Sequence, residues 1–198
     1  MNICVFTNVG DAHLEFLGDR AGVLRAKGEI FETMGSEDLA ILNGDDAMLK
    51  DFVPNTRRMT YGMQDGNDFV AKDVRNLGVD GISCTIDHHG TSFEAHIPAF
   101  GVHMVYAALA GAAVGYALGM TDAEIAEGIS RYQTVGNRAR VLKTEKMTVI
   151  SDCYNANPSS TKAAIESLKM LDGRKVCILV KASNSIGFDK VTERLLQM

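Results

Sequence analysis

"ICVFTNVGDAHLEFLGDRAGVLRAKGEIFETMGSEDLAILNGDD", Ile3 to Asp46, decides the fold. It opens on one short apolar run, "ICVFTNV", and closes on another, "DLAILNGDD", each ending in polar turn formers. Between them "DRAGVLRAKGEIFETM" has helical spacing, with Val23, Leu24, Ile30 and Phe31 on one side. Strand, helix and strand in that order predict a βαβ unit whose strands are neighbours in a parallel sheet. Lys27 falls among the apolar positions of the helix. Its neighbours Val23, Ile30 and Phe31 draw its stem toward the core, and burial disfavours an ammonium. The alternative is that the stem snorkels to solvent or pairs with an acid, and spacing alone favours that alternative.

Beyond this unit, "RMTYGM", "DFVAKDV", "GISCTI" and "SFEAHIP" read as short strands, with "DHHG" as a hairpin loop. An Ala/Gly-rich helix follows in "HMVYAALAGAAVGYALGM". That run is short for a membrane span and carries His, Tyr and Gly, so it reads as a helix packed closely through small residues. Thr121 with Glu124 three residues later predicts a capped helix start. "KMTVISD" reads as a strand, "CYNANPSS" as a loop and "STKAAIESLKML" as a helix. "RKVCILVK" is a last strand, "ASNSIG" a loop and "FDKVTERLL" a last helix. The predicted class is α/β: a partial parallel-sheet domain over 1–135, then a shortened Rossmann-like domain over 136–198.

The 198 residues are 46% hydrophobic and 23% charged, with a net charge of −5. This composition fits a globular protein, and the sign argues against nucleic acid or an anionic membrane as the main partner. Cys4, Cys84, Cys153 and Cys177 are scattered without a CxxC pair, as reduced cytosolic thiols would be. Met1 runs straight into "NICVF", which reads as no signal peptide.

Three polar loops follow predicted parallel strands: Thr7–His13, Asn43–Asp46 and Asp152–Ser160. Open α/β sheets bind ligands along that edge, although Asn, Asp and Gly also form turns for their own sake. His13 can hold a divalent ion or a phosphate, or simply face water. Asp152 at a strand end suits hydroxyl recognition, and the amides opening the next helix suit an anion. Arg138 can reach a phosphate or sit on the surface. No GxxxxGK[ST] occurs in the 198 residues, so no P-loop pattern is available for a triphosphate. The residues by themselves lead to a cytosolic α/β protein with a nucleotide or phosphate edge.

Several segments, taken in order, resemble the Mur ligases, within them the MurF branch: "TNVGDAHLEFLGDRAGVLRAKGEIFE", "AILNGDDAML", "SFEAHIPAFGVHMVYAALAGAAVGYALG", "VGNRARVL" and "VISDCYNANPSSTKAAIESL". "DCYNANP" points to that branch rather than to the related folylpolyglutamate synthetases. The resemblance implies an ATP-dependent ligase of peptidoglycan precursor synthesis that adds D-Ala-D-Ala to UDP-MurNAc-tripeptide in the cytoplasm through an acyl phosphate. It implies that His13 helps hold Mg2+, and that Lys27 is carbamylated and supports a second metal ion. Arg138 matches a phosphate-contacting arginine and Asp152 a ribose-contacting aspartate. Asn43 and Asp45 match a turn at the nucleotide site, and His103 keeps the histidine of the family's "GxHNxxN" pattern.

The sequence departs from that family in three respects. The UDP-sugar domain and the P-loop part of the central domain have no counterpart in it. "GVHMVYAALAGAA" puts Met104 and Ala107 where the family has two asparagines. "GRKVCIL" is followed by a segment resembling the family's extreme C-terminus, as if the section between were removed. The chain therefore reads as a fragment, a degraded copy or a deliberately shortened chain, inactive alone. Lost sheet neighbours leave unpaired strand edges, which invite self-association. The alternative function is a non-catalytic remnant or interaction module that keeps the fold.

Overall fold

The computed structural model describes residues 2–10, 14–136, 138–152 and 158–177. Strands β1 (Ile3–Phe6), β2 (Leu39–Asn43), β3 (Arg57–Gly62) and β4 (Phe69–Asn76) run parallel; β5 (Ile82–His88) and β6 (Thr91–Ile97) extend the sheet antiparallel. The order is sequential, β1 through β6. The predicted βαβ unit is present, with Ile3 opposite Leu39 and Phe6 opposite Leu42. In β2, Leu39, Ala40, Ile41 and Leu42 are all buried, as a strand covered on both faces must be.

The alternation of β2 divides the core. Leu39 and Ile41 join Tyr61, Phe69, Ile82, Ile86 and the long helix on one face. Ala40 and Leu42 join Phe6, Val9, Val23, Phe31 and Leu49 on the other. There Phe31 lies 5.3 Å from Phe52 and 6.2 Å from Phe6, ring centre to ring centre.

The helical segment after β1 is shorter than its apolar spacing predicts. A single turn, α1 (Leu14–Leu17), precedes α2 (Arg20–Gly28), which Asp19 caps by accepting from Gly22 N at 2.7 Å. From Glu29 the chain tightens into a 3₁₀ turn. At three residues per turn the angular spacing changes, so Phe31 stays buried while Ile30 turns half out to solvent. The expected apolar wall beside Lys27 is thereby opened.

β3 and β4 pair only through Tyr61–Phe69 and Gly62–Val70. β4 therefore begins where β3 ends and carries the sheet past its carboxyl edge. β5 turns into β6 at His89 and Gly90, with φ of 44° and 83°, a two-residue hairpin of the type that needs left-handed residues. His88 is buried there, stacked on Phe69 at 4.8 Å and bonded to Asp122 at 2.9 Å. Helix α3 (Met104–Ala117) lies on the sheet through small residues and closes on Gly119. Met120 N donates to Gly115 O and Gly119 N to Tyr116 O, the paired bonds of a glycine-terminated helix. Helix α4 (Asp122–Ser130) opens with the predicted Thr121–Glu124 capping box. No helix among the described residues is long and apolar enough to cross a membrane.

The C-terminal part differs from its prediction. β8 (Thr148–Ser151) pairs antiparallel with β7 (Arg140–Lys143), a strand the sequence reading lacks, so it is not a further parallel strand of the main sheet. Helix α5 (Pro158–Lys169) forms as predicted. Of the predicted strand at Arg174–Lys181, residues 174–177 have no regular structure, and the rest lies outside the described residues, as do "ASNSIG" and "FDKVTERLL". Among the described residues, no side chain after Ile129 belongs to either apolar cluster. This part is attached by Lys143 on Asp80 at 2.9 Å, by Asn76 on the Met170 sulfur at 3.3 Å, and by Leu171 against Gly78.

Candidate functional site

The loop leaving β1 is pinned residue by residue. Thr7 O accepts from Asn43 Nδ2 at 3.0 Å and Asn8 O from Lys27 Nζ at 3.1 Å. Val9 N donates to Asp46 Oδ2 at 2.9 Å, and Val9 O accepts from Arg20 Nε and Nη2 at 3.0 and 2.6 Å. Asp46 Oδ1 also caps its own turn by accepting from Met48 N at 2.8 Å. The carboxyl ends of β1 and β2 are thus fixed to each other and to α2. Lys27 and Asn43 stand along this edge.

Lys27 is exposed. Its stem crosses the strand end so that Nζ lies 5.6 Å from the Phe6 ring centre and reaches the Asn8 carbonyl. Of the two readings of Lys27, the structure shows the one that spacing favours: the stem snorkels out rather than being buried by Val23, Ile30 and Phe31. The 3₁₀ turn that rotates Ile30 outward removes the wall such burial needs.

Asp45, matched above to a turn of the family, has its carboxylate turned to protein donors. Its Oδ2 accepts from Met63 N at 2.6 Å and Tyr106 Oη at 2.9 Å, and its Oδ1 from Asn67 Nδ2 at 3.0 Å. Gln64 N adds 3.3 Å contacts to both oxygens. Protein donors take up the whole carboxylate, and Asn43 Oδ1 accepts the Asp45 N–H at 3.0 Å. Asp45 is a junction of β2, the β3–β4 loop and α3.

A second group meets where α3 begins. His103 is exposed as a residue, but its ring is packed under Gly101, where a Cβ would stand 2.5 Å from Cε1. This desolvation holds the imidazole below the ordinary histidine range, and the charge of Asp152 opposes it. Asp152 Oδ1 accepts from Ala139 N at 3.1 Å, which sets the exposed Arg138 beside it. Met104 and Ala107, next on α3, line an apolar cleft of about 340 Å3 with Ile97, Gly111, Ile125 and Tyr132. His13 lies outside the described residues.

The structure thus sets Lys27 and Asn43 on the adjacent Asn8 and Thr7 carbonyls, and Arg138 next in the chain to the Ala139 that donates to Asp152, whose charge acts on His103. Tyr106, Asn67 and Asp46 join these groups to the fold and were missed as site residues. Tyr106 had a legible signal: it follows His103 by three residues and so shares its helix face.

Residues 1–115 match the family model described as the Mur ligase middle domain. The chain belongs to the Mur ligase family. UDP-N-acetylmuramoyl-tripeptide–D-alanyl-D-alanine ligase of Bacillus subtilis is 34% identical over 88% of this chain. The Escherichia coli enzyme of that name is 31% identical over 87%. The chain spans only 38% and 39% of the length of these two Mur ligases. Among solved structures, MurF of Acinetobacter baumannii superposes with a TM-score of 0.79 at 29% identity, covering 86% of this chain and 38% of that one. MurF of Thermotoga maritima in complex with ADP gives 0.75 at 27%, covering 87% and 40%. The α/β sheet, parallel in its first four strands, is that of the Mur ligase middle domain.

Among the described residues no three His, Cys, Asp or Glu side chains gather as a metal cluster. That donor set does not fit a preformed metal cage.

Proposed function

We propose that this chain carries the lysine and nucleoside sides of a MurF-type ATP site, and that the 198 residues alone bind nucleotide without completing ligation. Full-length enzymes of this kind join D-Ala-D-Ala to UDP-MurNAc-tripeptide in the cytoplasm. The observation that carries the reading is the edge on which Lys27 holds the Asn8 carbonyl and Asn43 the Thr7 carbonyl, joined through Asp45 to Tyr106 on α3, one turn after His103. Asp152 suits a ribose hydroxyl and Arg138 a phosphate oxygen. Asn43 supports the site by holding the Thr7 carbonyl. Lys27 loses a proton, its nitrogen lone pair forms a C–N bond to CO2, and the second N–H proton leaves to water. The resulting carbamate and His13 are the residues proposed to hold Mg2+. When bound, that ion supplies charge neutralisation for phosphoryl transfer.

A second reading, a non-catalytic remnant or interaction module that keeps the fold only, is favoured by the lack of a GxxxxGK[ST] pattern in these 198 residues. Calorimetric titration of ATP and of ADP, each with Mg2+, tests the first reading. Micromolar binding lost in Asp152→Ala supports it, and no heat at millimolar nucleotide overturns it. Release of ADP coupled to UDP-tripeptide and D-Ala-D-Ala would overturn the claim that the chain alone is inactive. A 13C carbamate resonance formed from labelled bicarbonate and absent in Lys27→Arg checks the lysine chemistry.

A further inference from the structure

Asp45 has no freedom to move. Main-chain N–H groups of Met63 and Gln64 and the Asn67 amide hold its carboxylate, and its own N–H is held by Asn43. The backbone leaves no slack either. A Cβ on Gly62 would stand 2.3 Å from Asp45 Oδ1, and one on Gly44 would stand 1.9 Å from Asn67 Oδ1. The Tyr106 hydroxyl reaches this anchor from α3 at 2.9 Å.

The rest of α3 meets the sheet largely through Ala108, Ala112 and Ala113, with Val105 and Leu109 as the large side chains. Apolar contact is non-directional, and alanine ridges are shallow. A hydrogen bond to a fixed carboxylate has a direction and a length, so it sets where the helix stops along its axis. His103 precedes Tyr106 by three residues, one turn nearer the helix start and on the same face. Its ring lies against Gly101, a glycine that Ser167 of α5 also approaches, and it feels the charge of Asp152 just past β8. A small shift of the first turn changes all of these together.

We propose that Tyr106 is a positioning residue for the nucleoside end of the site, locking the first turn of α3 to Asp45 so that the His103 ring is held against Gly101. The proposal rests on the nucleotide reading above for its effect on binding, but not for its effect on His103.

Tyr106→Phe removes one oxygen and keeps the ring. NMR titration of the His103 imidazole and calorimetric titration of ADP with Mg2+ are made on the variant and on the unaltered 198-residue chain. The expected result is a displaced His103 resonance, a titration midpoint moved up toward that of an exposed histidine, and ADP affinity lower by roughly fivefold, the loss of one hydrogen bond. Identical His103 shifts and midpoint in the two proteins overturn the proposal. If the unaltered chain binds no ADP, the function reading fails, and the histidine titration still decides the positioning role. If the variant does not fold, the unaltered chain is labelled with 3-fluorotyrosine. The Tyr106 fluorine signal must then move as His103 titrates, because coupling is reciprocal; a signal indifferent to that titration overturns the proposal.

Discussion

Gly62 matters for lack of a side chain. A methyl group there would stand 2.3 Å from Asp45 Oδ1 and 2.5 Å from Asn67 Nδ2, and neither neighbour is a loose end. Gly62→Ala should cost about 1–3 kcal/mol, as overpacking does, read as a lower urea midpoint with an unchanged slope. Nothing in "RMTYGM" announces this role, because it arises from a carboxylate seventeen residues earlier in the chain. Lys27 illustrates the same limit from the other side. Its place on a helix and its reach to solvent were legible, but the switch to 3₁₀ geometry at Glu29, which turns Ile30 outward beside it, is concealed by the apolar spacing. Side chains that read as ligands, such as Asp45, turn out to be occupied by main-chain donors that sequence spacing cannot show.

Elements were more legible than sites because their signals are local. The parallel βαβ unit, the hairpin at His89–Gly90 and the capped start of α4 each follow from a few adjacent residues. The β7–β8 pairing was not legible, since "RVLK" is too short and too mixed to stand out from its surroundings. Helix α4 gives a test of the local kind. Thr121 Oγ1 accepts from Glu124 N at 3.3 Å, and Glu124 Oε2 accepts from Thr121 N at 2.8 Å. Thr121→Ala should lower stability by about 1 kcal/mol, measured by thermal unfolding. The bonds from Thr121 hold the Glu124 carboxyl below its ordinary 4.5. Its stabilising contribution is therefore present above that value and disappears as pH falls through the lowered one. Glu124→Gln should show a flatter acid limb.

The whole molecule has an alkaline limit built into its larger core. Burial, with Asp46 nearby, pushes Tyr61 up to about 12. Burial and the bond to Asp45 do the same to Tyr106, and burial pushes Cys84 to about 11. Each is raised above its unfolded value, so folding favours the protonated form. The contribution is complete below pH 9–10, the unfolded values, and is lost as pH rises through 11–12. Denaturant midpoints should hold to about pH 9 and then decline. Phenolate absorbance should rise in two stages, with Tyr61 and Tyr106 ionising only as the chain unfolds. A single stage centred near pH 10 would contradict the structure.

Residues 138–177 contribute nothing to either apolar cluster among the described residues, and Lys143–Asp80, Asn76–Met170 and Leu171 at Gly78 are among the contacts that fasten them. Such a segment opens at little free energy while β1 to β6 stay closed. Amide hydrogen exchange should show Val141–Ser151 exchanging far faster than Ile41 or Ile86. When the segment opens, Asp152 and Arg138 move away from the start of α3. A nucleotide needing both ends meets a competent protein only for the closed fraction of the time, and its apparent dissociation constant rises by the inverse of that fraction. Bound ligand must then slow exchange most in β7 and β8, far from the lysine edge. For the proposed nucleotide site, affinity is then set as much by how often this end is shut as by the contacts made when it is.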